Sequence, residues 1–162
     1  MIEVEVAHLG LDRSTNTPVV ILREKDGQRL LPIWIGPAEA SAIAMEMQGV
    51  KPLRPMTHDL LKQIVTGLGA ELRRVVITDV RENTYFAELY MRREDHVFQV
   101  DARPSDSIAL AIRLHAPIFT SDELLDQRSV ETQEPGAQSI DAEKLKQYLE
   151  RMDPQDFGKF SL

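Results

Sequence analysis

Three short strand-like segments closed by a helix occur twice along the chain, and this order constrains the fold more than any other feature. Residues 2–9 alternate apolar Ile2, Val4 and Val6 with Glu3 and Glu5, the period of a half-buried strand. After a polar turn at 12–17, the β-branched run 18–23 predicts a second strand. The turn Lys25-Asp26-Gly27 leads into a third strand at 29–35. Gly36-Pro37 then stops the meander. Pro37 suits the first helical position and Gly49 the position just past the end, which predicts an Ala-rich helix reaching Met47. Its alanines at 38, 40, 42 and 44 leave room for a neighbouring backbone, and packing of this helix against its copy in a homo-oligomer is one expected use of them.

The second half repeats the order. Thr57 is the predicted N-cap of a helix over 58–68, with Leu61, Ile64, Val65 and Leu68 at helical spacing as its core face, and Gly67 and Gly69 end it. Strands are expected at 70–80, 84–91 and 96–102, the first two joined by Arg81-Glu82-Asn83. Pro104 or Ser105 opens a helix to about His115, a short strand follows at 117–120, and Ser121 caps a brief helix at 122–125. Strands in blocks separated by helices indicate an α+β fold with mixed or antiparallel sheets, in β3-α then α-β3-α order. That order admits a duplication, although no residue-level repeat accompanies it. One domain over 1–126 is expected, then a polar loop at 127–139, then a C-terminal helix and docking tail at 140–162 carrying Leu145, Tyr148, Leu149, Phe157 and Phe160.

Charge and composition narrow the function. The net charge of −7 is uneven: residues 1–50 carry −3, 51–113 carry +1 and 114–162 carry −5. An acidic whole argues against coating nucleic acid, because neutralisation of the phosphate backbone dominates such affinity. One phosphate in a local pocket stays open, since the middle third concentrates arginine, whose planar fork suits phosphate. With no cysteine, disulfides, thiolate-ligated metal and thiol nucleophiles are excluded. No apolar run approaches the roughly 18 residues of a membrane span, and the start of the chain lacks a basic leader, so a soluble cytoplasmic protein is expected. No G-x-S-x-G, G-x-G-x-x-G, P-loop or H-E-x-x-H pattern occurs. The four histidines lack metal-ligand spacing. Trp34 and Phe86 are expected in the core.

Two segments carry candidate chemistry. DARPSDS at 101–107 leaves a strand and enters a helix, where free N–H groups make an anion site and Arg103 can clamp an acid or phosphate. Asp106 and Arg113, seven apart, share one face of that helix. Capping alone would also place Ser105 and Asp106 there. RPMTHD at 54–59 puts Arg54, His58 and Asp59 at a second helix start, with His58 as general base beside a carboxylate. Against this, sequence neighbours on a helix need not face each other. Glu39 and Glu46, seven apart on the Ala-rich helix, are read as a solvated face or as carboxylates able to help hold a divalent ion.

LPIWIGPAEA at 31–40, RPMTHD at 54–59 and DARPSDSIAL at 101–110, in this order, resemble the bifunctional nuclease family. The resemblance spans about residues 1–126, and DPQDF at 153–157 is similar to the tail of bacterial members, with Gln155 where the family usually has Glu. It implies DNase and RNase activity, as in some plant members, and a nucleic acid substrate. The site expected from the matching phrases is a metal-assisted phosphodiesterase. Asp101 and Asp106, with Asp59, would hold Mg²⁺ or Mn²⁺, His58 would take a proton from water, and Arg54 and Arg103 would stabilise the transition-state charge. Both helix starts would then converge on one phosphodiester. The alternative is a non-catalytic module that binds a small anionic ligand or a protein partner at the same helix starts.

Overall fold

The computed structural model describes residues 1–129; the polar loop beyond that point and the C-terminal helix and tail lie outside the described residues. Strands β1 (Ile2–Asp12), β2 (Thr17–Glu24) and β3 (Leu30–Trp34) form an antiparallel meander, with a bulge in β1 between Val6 and His8. Helix α1 (Pro37–Met47) follows, then α2 (Thr57–Gly67). Strands β4 (Ala70–Arg81), β5 (Thr84–Arg93) and β6 (His96–Ala102) make a second antiparallel meander, followed by α3 (Pro104–Leu114), β7 (Ile118–Thr120) and α4 (Asp122–Arg128). All seven strands share one sheet in the order β3-β2-β1-β7-β4-β5-β6. Strand β7 is antiparallel to β1 and parallel to β4, so the sheet is mixed and the fold α+β.

The repeated order is therefore visible as architecture: two meanders flank β7, and each is followed by a helix that packs on it, α1 on β2 and α3 on β4 and β5. The sheet curls far enough for the Tyr85 hydroxyl on β5 to donate to the Pro32 carbonyl on β3 at 3.3 Å. Alternation along each strand fills the core. Val20, Leu22, Leu31 and Ile33 enter from the first meander, Val75, Ile77, Leu89 and Met91 from the second, and Ile43, Ile108 and Leu110 from the helices. Burying one such side chain is worth about 1.5–3 kcal/mol, so packing rather than helix propensity holds the helix layer on the sheet.

Several expectations are corrected. The small residues of α1 do admit a close neighbour, but it is α3 of the same chain: Ala40, Ser41, Ile43 and Ala44 are buried there and are not available to a second copy. Thr57 is the first residue of α2 rather than its cap, because Met56 takes the N-cap position and its N–H is met by Asp59. The apolar spacing in α2 marks a core face only in part: Val65 packs against the core, whereas Leu60, Leu61, Ile64 and Leu68 are exposed, and His58 is the buried residue. Trp34 and Phe86 are not core aromatics. Each adjoins an inward residue, Ile33 and Ala87, so strand alternation turns it to the opposite face. Trp34 is half exposed and donates its Nε1–H to Asp12 Oδ2 at 2.9 Å; the Arg81 guanidinium lies 5.2 Å from the Phe86 ring centre. Gly49 and Gly69, at φ of +67° and +70°, end α1 and α2 in the left-handed region that favours glycine. Ser121 caps α4 as expected, accepting from the Leu124 N–H at 3.0 Å. Among the described residues no helix is long and apolar enough to cross a membrane.

Candidate active site

The two helix starts meet. Strand β6 ends at Ala102, and Arg103 takes the N-cap position of α3 without a side-chain bond to the backbone of the first turn, which Pro104 opens. The Ser107 hydroxyl donates to the Arg103 carbonyl at 2.9 Å and closes that turn. Asp106 therefore does not spend its oxygens on backbone capping. Its Oδ1 lies 2.9 Å from His58 Nε2 at the start of α2, and its Oδ2 accepts from Arg103 Nε at 2.7 Å. Arg103 also reaches Glu39 on α1 at 2.8 Å. Residues from three helices thus form one chain, Glu39–Arg103–Asp106–His58.

A second chain runs deeper in the same helix layer. Arg113, near the end of α3, donates Nε to Asp59 Oδ1 at 2.8 Å, with Glu46 at 4.0 Å. The other guanidinium nitrogens donate to the carbonyls of Ala109 and Ala42, each at 2.9 Å. Only 3% of the Arg113 side chain is exposed, against 66% for Arg103. Asp59 completes its bonding by accepting from the Met56 N–H at 3.0 Å. The expected pairing of His58 with adjacent Asp59 is thus replaced: successive helix residues diverge, so His58 turns to Asp106 and Asp59 to Arg113. Glu39 and Glu46, expected as a solvated face, instead each meet an arginine of α3.

The electrostatics follow from these bonds. Burial pushes the Asp106 carboxyl up, but Arg103 and His58 outweigh it and hold it below its ordinary value. Asp59 behaves alike: burial raises it, and Arg113 with the Met56 N–H brings it lower. Both carboxylates are therefore charged at neutral pH. Asp106 and, next, Glu39 push Arg103 above its ordinary value. With Nε2 engaged by Asp106, His58 keeps Nδ1 free of any partner among the described residues. No buried side-chain nitrogen among the described residues lacks one, so Nδ1 is reached by solvent. Arg54 is exposed four residues before His58 and makes no ion pair or hydrogen bond with any described residue. The N–H groups of Ser105 and Asp106, at the start of α3, likewise have no acceptor among the described residues.

The donors for a divalent ion fit poorly. Asp101 on β6 is the register partner of Glu88, which lies between the inward residues Ala87 and Leu89, so Asp101 faces away from the helix layer that carries Asp106. Both Asp106 oxygens are bonded to cationic or proton-donating groups, and Asp59 is held by Arg113 and the backbone. Among the described residues no group of three or more His, Asp or Glu forms that could hold a metal ion.

A curled mixed sheet whose helix starts bring together a histidine, a carboxylate and an arginine defines an α+β domain with a clustered His–Asp–Arg group at its rim. The bifunctional nuclease domain model matches residues 20–133, and the chain belongs to that family. It is 42% identical over 162 residues to an uncharacterized protein of Mycobacterium tuberculosis, covering 96% of this chain and 97% of that one. Bifunctional nuclease 2 of Oryza sativa subsp. japonica is 29% identical over 82% of this chain and 42% of its own length. Bifunctional nuclease 1 of Arabidopsis thaliana is 31% identical over 62% of this chain and 32% of its own. The chain thus spans less than half the length of these plant relatives.

Proposed function

We propose that the chain hydrolyses phosphodiester bonds of RNA or DNA, with His58 as the proton-transfer group. Asp106 accepts from Nε2–H and so fixes the ring and its tautomer, which leaves the Nδ1 lone pair facing solvent. Nδ1 takes a proton from the attacking water as its oxygen bonds to phosphorus. The same proton is then returned to the oxygen that leaves. Negative charge grows on the non-bridging oxygens during the step. Arg103 at the mouth of the site, the unpaired Arg54 and the two uncapped N–H groups at the start of α3 answer that charge. The contact that carries this reading is Asp106 with His58, joined across 48 residues of sequence. The family supplies the substrate class, because the plant relatives bear the name nuclease.

The test is cleavage of single-stranded RNA and DNA by purified protein with Mg²⁺, Mn²⁺ or EDTA. Turnover that survives EDTA and collapses in His58→Ala and Asp106→Asn is expected. Loss of all turnover in EDTA would overturn this reading. Equilibrium binding of oligonucleotide with no product over hours would favour the non-catalytic alternative. Both engaged oxygens of Asp106 give that alternative its physical footing.

A further inference from the structure

Strand β6 is the one element of the sheet with both faces exposed, from His96 through Asp101, and it lies at the sheet edge with one row of backbone N–H and C=O groups unpaired by any described residue. Edges of this length are ordinarily blunted by proline, lysine, a bulge or a covering element. β6 has no proline, lysine or bulge; it carries Val97, Phe98 and Val100 instead. Phe98 and Val100 pair with the inward residues Met91 and Leu89 of β5, so they stand on the helix side of the sheet.

Helix α2 lies in the helix layer on that side of the sheet, packed on α3 and β4. Its first turn is tied by His58 to Asp106, four residues past the end of β6. Its last turn leads to Ala70, which pairs with Arg93, which in turn pairs with His96 at the start of β6. The helix therefore lies antiparallel to β6, about 16 Å of helix beside about 23 Å of strand. Phe98 and Val100 give the edge an exposed apolar strip on the helix side of the sheet, and Leu60, Leu61, Ile64 and Leu68 of α2 are exposed in the same helix layer.

We propose that this strip is where a second copy of the chain docks, by antiparallel β6–β6 pairing about a two-fold axis at Gln99. An unpaired row of backbone groups calls for a strand. The sequence pattern of residues 130–162 offers a polar run, a helical spacing and a Pro- and Gly-bearing tail, but no alternating segment. A two-fold that continues the sheet must pair residues of like face. The register centred on Gln99 does so, engages all seven residues of β6 and sets Phe98 opposite Val100 of the other copy twice over. A stable dimer buries about 1,200–2,000 Å² in total, more than a strand edge supplies, and the flanking leucines of α2 make up the rest. The same register sets His96 of the second copy opposite Ala102, next to Arg103, so each candidate active site abuts the interface.

The test uses the full chain. Light scattering at tens of micromolar should give twice the 18.4 kDa mass of one chain. Phe98→Lys or Val100→Glu alone should return the single mass. Both residues are well exposed, so the fold tolerates either change. The double variant should dimerise again, because each introduced lysine then faces the introduced glutamate of the other copy. Gln99→Cys places the only thiol of the chain on the two-fold and should crosslink quantitatively on mild oxidation, whereas Thr15→Cys in the exposed β1–β2 turn should not. A single-chain mass for the wild type overturns the proposal, and so does a dimer that ignores the charge variants or fails to crosslink at position 99.

Discussion

The helix layer builds the same triad of charges twice, and the two copies serve different ends. In each, a glutamate of α1, an arginine of α3 and an aspartate meet: Glu39, Arg103 and Asp106 at the rim, Glu46, Arg113 and Asp59 within. The inner arginine is 3% exposed and directs every guanidinium nitrogen at an acceptor from α1, α2 or α3, so it clamps three helices together. The outer arginine is 66% exposed, and the aspartate beside it holds a histidine as well. Residue types alone would not separate them. Burial does: a saturated, desolvated cation has nothing left to offer a ligand, whereas a solvated one can exchange its partners for phosphate.

Substitutions can break that contrast. Arg113→Met, close in volume, strands the Asp59 charge and two carbonyls; urea denaturation should show a loss of about 3–5 kcal/mol, the range for unpairing a buried charge. A loss under 1 kcal/mol would mean the inner cluster is not the clamp. His58→Ala should lower phosphodiester turnover by about 10²–10⁴-fold, as for a general base. Asp106→Asn should follow it, and the double variant should be no slower than either single one if the two act as a unit. Arg103→Ala should cost about 10²–10³-fold in rate. Its effect on unfolding should stay within about 1 kcal/mol, the usual value of an exposed ion pair. If stability and rate fell together there, the outer cluster would be structural too. The smallest expected effect is in acid. Asp59 and Asp106 titrate below their ordinary value when folded, so their stabilisation is complete above the unfolded value of about 3.9 and fades as pH falls through the lower folded one. Asp59→Asn should flatten the pH dependence of the melting temperature below about pH 4, and an unchanged slope would count against the Arg113 pairing.

Much of the fold was legible because strand alternation and the Gly and Pro punctuation are local. The limits of β6, α1 and the cap on α4 all follow from residues within a turn of each other. The candidate site was legible only in outline. Arg54, His58, Arg103 and Asp106 stand out as helix-start residues, but which acid serves His58 depends on how α2 lies beside α3, which no spacing encodes. The matched spacing of Glu39 with Glu46 and the shared face of Asp106 and Arg113 were the available hints of the two clusters. α2 misled for a different reason. Its leucines have the spacing of a buried face, and apolar spacing marks a surface to be covered without saying whether the same chain covers it.

Strand β7 is three residues long, yet it is the seam of the sheet, and it emerges from the ribosome after everything it joins. The first meander and α1 are complete by Met47, but their edge strand β1 waits for Ile118–Thr120 before it acquires its second neighbour. Until then the nascent chain carries two half-sheets with open inner borders, the kind of species that chaperones bind and that swaps strands with a sister chain. The Glu39–Arg103 contact bridges those halves, so the rim cluster of charges, like the seam, is a product of their union late in synthesis.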